Sequence, residues 1–206
     1  MANTFKNIAT LLGLCAGLYA TQSHAAFFEN TTGLTAPVSV ETFDVNAGDG
    51  SAAASQFSGL TFGNGNFVSS GYSGAFLNMS NDVISNFGGD PFSITTPTFI
   101  NFSTPESDVA FAYVSNPGTT TFSSFLAGNL VESAIVNTGY EGHFFGFTNS
   151  AFDSIRIDSI NENNAYILDN LQLGSPSASA VPEPASIALL GLGLLCFAAA
   201  RRRSAK

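Results

Sequence analysis

The chain of 206 residues carries 15 acidic and six basic residues, a formal net charge of −9, with two cysteines and no tryptophan. Every acidic residue except Glu183, but only Arg156 among the basic ones, falls within residues 26–180. Such a surface repels nucleic-acid phosphate and anionic lipid and suits hard cations, which take oxygen ligands. Cys15 and Cys196 lie in apolar end segments, so the acidic middle has no disulfide, thiolate nucleophile or cysteine-based metal site.

At the N-terminus Lys6 precedes an apolar run over residues 8–20, and the small residues of "SHA" follow at 23–25. This pattern predicts a Sec-type signal peptide over residues 1–25, a signal helix that signal peptidase cuts between Ala25 and Ala26. Cleavage after "HAA", one residue on, is the alternative. A lipoprotein signal is ruled out, because Leu14 stands before Cys15 where Gly or Ala is needed.

Residues 26–174 are enough for one domain with a substantial core. No segment there places apolar residues every three to four positions. Short alternating stretches are instead separated by Gly, Asn, Pro and Ser. In chain order, "PVSVETFDV", "GLTF", "AFLNM", "TFINFS", "DVAFAYVS", "TTTFSSFLA", "LVESAIVN", "GHFFGFT", "DSIRIDSI" and "AYILDNLQL" are expected strands. In "DVAFAYVS", Val109, Phe111 and Tyr113 share one face and Ala110, Ala112 and Val114 the other. In "DSIRIDSI", Ile155 and Ile157 point inward while Arg156 and Asp158 point outward. "SNPGT" at 115–119 and "INENNA" at 160–165 are turns. Roughly ten short strands predict an all-β domain, an antiparallel jelly-roll-like β-sandwich. "GSPSASA" then reads as a flexible connection, giving a linker over 175–180.

The tail, 181–206, opens on Val181, Pro182, Glu183 and Pro184. An uncharged run over 185–200 follows, about 24 Å long at helical rise against the roughly 30 Å of a bilayer's hydrocarbon core. Arg201, Arg202 and Arg203 come next, where cations suit both a helix C-terminus and the cytoplasmic side of a membrane. The prolines hold the preceding tripeptide extended and accessible to a protease. A single transmembrane helix is expected, and physics alone would allow an ordinary C-terminal anchor.

"VPEP", an apolar stretch rich in Gly, Leu and Ala, and a terminal "RRR" resemble the PEP-CTERM sorting signal. The resemblance covers residues 181–203. It implies a Gram-negative source, export through the inner membrane, transient anchoring there, and processing by an exosortase near Pro-Glu-Pro. It also implies association with exopolysaccharide or biofilm matrix at the cell surface.

A second resemblance rests on "VETFDV" with "SQFSGLTF" and on "FFGFTNSAFDSIRID" with "YILDNLQL". These stretches are similar to the opening and closing strands of galactose-binding-like jelly rolls. There the two strands are neighbours, and a carboxylate on the first and an Asp on the last help hold a structural calcium. Carried over, those residues are Asp44 and Asp169.

Candidate catalytic groups are sparse. His143 in "EGHFFG" is the middle's only histidine, and no nucleophile elbow accompanies it. Glu132 and Glu141 are carboxylates of the kind a glycosidase pairs, with nothing in the sequence to pair them. "FGNGNF" at 62–67 is a turn, and "GDG" at 48–50 is a fragment of a calcium loop without the remaining ligand spacing. Asn30, Asn78 and Asn101 begin Asn-x-Ser/Thr triplets at chance frequency. The absence of Trp counts against sugar stacking, although Tyr72, Tyr113, Tyr140 and Tyr166 are available for it. The sequence therefore points to a non-enzymatic, exported structural protein, with a carbohydrate-binding module or a glycoside-active enzyme as the other readings. No cofactor beyond the implied calcium is expected, and no nucleic-acid partner.

Overall fold

A computed structural model describes residues 26–44, 53, 57–63, 66–72, 74–89 and 92–174. The signal peptide, the linker at 175–180 and the sorting segment at 181–206 lie outside the described residues, as do "GDG" and both expected flanking helices. Among the described residues no helix is long and apolar enough to cross a membrane. They form strands and turns only.

Two antiparallel sheets carry the fold. One has seven strands in the order β1 (Ala26–Asn30), β12 (His143–Thr148), β9 (Val109–Ser115), β14 (Tyr166–Leu173), β5 (Val83–Ser85) and β4 (Phe67–Ser69), with β2 (Ser39–Glu41) also on β14. The other runs β11 (Asn129–Thr138), β10 (Gly118–Leu126), β13 (Phe152–Asn161), β8 (Thr98–Glu106) and β3 (Leu60–Phe62). A small hairpin pairs β6 (Phe87–Gly88) with β7 (Ser93–Ile94).

The inner faces of the sheets meet in one apolar cluster. Val109, Phe111 and Tyr113 of β9 and Phe145 and Phe147 of β12 face Phe122 of β10, Ile155 and Ile157 of β13 and Ile100 of β8. Phe122 is fully buried, with ring centroids 5.1 Å from Tyr113, 5.6 Å from Phe111 and 5.0 Å from Phe145. Each such aromatic pair adds about 0.5–1.5 kcal/mol beyond area burial, and the abundant Phe makes this core cohesive without a disulfide. As the alternation predicts, Arg156 and Asp158 lie on the outer face of β13, where they form a 2.8 Å ion pair.

The seven-stranded sheet also buries its outer face. Ala110, Ala112 and Val114 of β9, Phe144 of β12 and Ile167 of β14 form a second cluster with Met79 and Val83. Phe28, Leu34, Tyr72, Phe76 and Phe87 cover it. All seven residues of β9 are consequently buried, with both of the faces read from its sequence covered.

This cover accounts for one departure from the sequence reading. "AFLNM" is not a strand. It is a pair of turns, with the Ala75 amide bonded to the Tyr72 carbonyl at 3.0 Å and Asn78 at φ 59°. The turns place Phe76 and Met79 on the sheet, and Asn is among the few residues that accept that backbone geometry. A second departure concerns "PVSVETFDV", whose strand covers only Ser39–Glu41. Phe43 at φ 60° turns the chain and buries its ring against Phe57 and Phe62. Strands β1, β4 and β5, unforeseen from the sequence, complete the sheet.

Candidate functional site

A bulge in β14 builds the site. Between Asp169 and Gln172 this strand has one more residue than its partner β9, and Asn170 takes φ 49°. The bulge resets the alternation, so Leu168, Leu171 and Leu173 all meet the inter-sheet core. It leaves Asp169 fully buried. The Asp169 carboxylate accepts hydrogen bonds from the Ser80 amide at 2.8 Å, the Ser80 hydroxyl at 3.3 Å and the Asn170 amide at 2.6 Å.

Asp44 grips the same short loop from the other side. It lies three residues beyond β2, past the Phe43 turn, and not on the strand as the resemblance implies. Its carboxylate accepts from the Asp82 amide at 3.2 Å, the Asn81 amide nitrogen at 3.4 Å and the Thr42 hydroxyl at 3.0 Å. Strands β2 and β14 are paired neighbours, Glu41 opposite Leu171. The structure thus places Asp44 and Asp169 on either side of residues 80–82, with Asn78 and Asn81 at positive φ. Asn78 is tied to Asn170, whose amide nitrogen donates to the Asn78 carbonyl at 2.7 Å.

Burial pushes the Asp169 carboxyl up to about 7, and the nearby Asp44 charge pushes in the same direction. The hydrogen bonds from Ser80 and Asn170 oppose this shift without cancelling it. Two neighbouring carboxylates, one of them buried, fit a hard cation in charge and donor type. Among the described residues no group of three or more His, Cys, Asp or Glu side chains gathers to hold a metal. A calcium ion here would take its remaining oxygens from backbone carbonyls or water.

The other candidates fall elsewhere. His143 opens β12, and its Nδ1 lies 2.7 Å from Glu29 Oε1 of β1. Glu141 borders a recess with Glu29 and His143. Glu132 pairs with Ser124 on the other sheet, six residues before the end of β11, a run of about 20 Å at strand rise. The fold does not bring Glu132 and Glu141 together. Phe62 ends β3 and Phe67 opens β4, while Asn64 and Gly65 at the centre of "FGNGNF" lie outside the described residues. Ala25, Val181, Pro182, Glu183, Pro184, Arg201, Arg202 and Arg203 lie outside the described residues.

Sequence reasoning missed Ser80, Asn81, Asp82 and Asn170. A signal was present. "NMSND" is a run of residues that favour turns, and it reads as a loop once Met79 is not forced into a strand.

The description that matches this chain is the PEP-CTERM protein-sorting motif, over residues 180–203. Among solved structures, the K2 cleaved adhesin domain of Lys-gingipain aligns with a TM-score of 0.43 at 16% identity, covering 72% of this chain and 99% of that one. No curated protein matches the chain.

Proposed function

From a PEP-CTERM motif, which marks the chain for export and exosortase sorting, we propose a non-enzymatic structural protein of the cell surface or extracellular matrix. The observation that carries this reading is the order of parts. A compact all-β domain is followed by a short Gly- and Ser-containing connection and then by the sorting motif. In this reading signal peptidase removes residues 1–25, the helix at 185–200 holds the chain briefly in the inner membrane, and exosortase releases it near Pro-Glu-Pro. The domain is a jelly-roll-type sandwich delivered to exopolysaccharide or biofilm matrix.

Asp44 and Asp169 hold a structural calcium in this proposal, pinning residues 80–82 to the edge of β14. The non-enzymatic reading is supported by the separation of Glu132 from Glu141. Fractionation of a producing strain tests the matrix role. The protein is expected in the matrix fraction, and enzymatic digestion of the exopolysaccharide is expected to release it. Retention in the membrane or periplasm in a strain with active exosortase would contradict the reading.

A further inference from the structure

Where the β9–β10 turn and the β11–β12 connection meet the cover of the seven-stranded sheet, an open groove of about 210 Å³ is lined by aromatic rings. Tyr72, Phe76 and Tyr140 form a row. The Phe76 and Tyr140 rings lie 12° from parallel with centroids 6.1 Å apart, and those of Tyr72 and Phe76 26° from parallel at 6.4 Å. Phe87 from β6 closes one side. Tyr140 is 53% exposed, and its hydroxyl donates to Asn116 Oδ1 at 2.8 Å, which fixes the ring at the rim of the groove. That bond leaves the Asn116 amide nitrogen, also at the groove, without a partner among the described residues.

Among the described residues the lining holds no charged side chain, although residues 26–180 carry all but one of the chain's 15 acidic groups. An anionic ligand would be repelled by the surrounding field, and a cationic one would find no carboxylate among the described lining residues. Pyranose rings present C–H groups on one face and hydroxyls around the edge. The C–H face suits the electron-rich faces of Tyr and Phe, and the edge suits the Asn116 donors. A volume below the roughly 300–1,000 Å³ of usual small-molecule pockets fits one sugar unit of a chain lying across an open surface.

We propose that this groove binds a neutral polysaccharide, with Tyr140 and Phe76 stacking on a pyranose ring and the Asn116 amide bonding its hydroxyls. The inference takes from the proposed function only the polysaccharide setting, and its test is independent of sorting. The full chain, held in lipid nanodiscs, is titrated calorimetrically with neutral cello-, laminari- and manno-oligosaccharides and with polygalacturonate. Saturable heat is expected with at least one neutral oligosaccharide and none with the anionic polymer. Tyr140→Ala should weaken binding about tenfold or more. Tyr140→Phe, which keeps the ring, should retain most of it, and Asn116→Ala should weaken it with an unchanged circular dichroism spectrum. Absence of saturable heat with all three neutral oligosaccharides at millimolar concentration overturns the proposal. So does equal affinity in wild type and Tyr140→Ala, or a Tyr140→Ala variant that changes only self-association, which would make the groove a protein contact.

Discussion

Replacing Pro182 and Pro184 together with Ala is expected to leave the protein uncleaved and membrane-bound in a host that has the exosortase. The cause is backbone geometry. Each proline fixes its own φ, denies a backbone N–H and pushes the residue before it toward extended conformations. Val181 to Pro184 are then expected to stand outside the proposed apolar helix as an extended substrate. With alanine at both positions the segment becomes Val-Ala-Glu-Ala, which would favour extending the helix expected over 185–200 instead of ending before it. Glu183 remains, so the variant separates backbone shape from charge. The expected change is from essentially complete processing to none, read as a mass difference on immunoblots of membrane and released fractions. Unchanged release of the double variant would show that Pro-Glu-Pro is not the processing signal.

The second large effect is expected at Asp169, where calcium should suppress the pH dependence of stability. Its carboxyl titrates near 7 in the folded chain, far above the ordinary value of 3.8, because it is buried beside Asp44. The folded state therefore holds a proton that the unfolded chain gives up, and stability falls as pH rises through the window from about 4 to about 7. The loss is on the order of 4 kcal/mol when complete. A calcium ion bound there, as proposed, would replace the proton, keep the carboxylate ionised and offset most of that loss. An ion at 100 times its dissociation constant adds about 2.7 kcal/mol, enough to move the melting temperature by several degrees. Melting of wild type and Asp169→Asn is to be compared at pH 5 and pH 8, each with calcium and with chelator. In chelator the wild type should lose stability relative to the variant between the two pH values, and calcium should restore most of it at pH 8. Equal wild-type melting with calcium and chelator would remove the ion from the account. Equal stabilisation of both proteins would move it to other ligands.

The strand pattern was legible where one residue in two meets the core. "DVAFAYVS" and "DSIRIDSI" give β9 and β13 with the right residues inward, because alternation is a local property of the strand. What covers the outer face of β9 was not legible. That face is closed by Phe76 and Met79 from a segment that itself alternates weakly and so reads as a strand. The β14 bulge was equally hidden. Regular alternation through "YILDNLQL" would put Asn170 and Gln172 in the core, yet Leu171 and Leu173 are there. Only the competition between burying leucine and burying asparagine, settled after the sheets close, reveals the extra residue.

The candidate site divides the same way. Asp44 and Asp169 came from a likeness to known strands, and the pairing of β2 with β14 brings them to the same loop. The groups that join them are Ser80, Asn81 and Asp82, at sequence separations of 37 to 89 residues, where no local pattern reaches. The sorting motif is the opposite case. Its information is contiguous, since a protease and a membrane read it along the chain rather than across a fold.

The central claim is that this β-domain is exported and cut free of its C-terminal segment. Intact-mass spectrometry of the protein recovered from the matrix of a producing strain tests it most directly. The account predicts a chain that begins at Ala26 and ends near Pro182 to Pro184, without the apolar segment and the arginines. A recovered chain that still extends to Lys206 would contradict it.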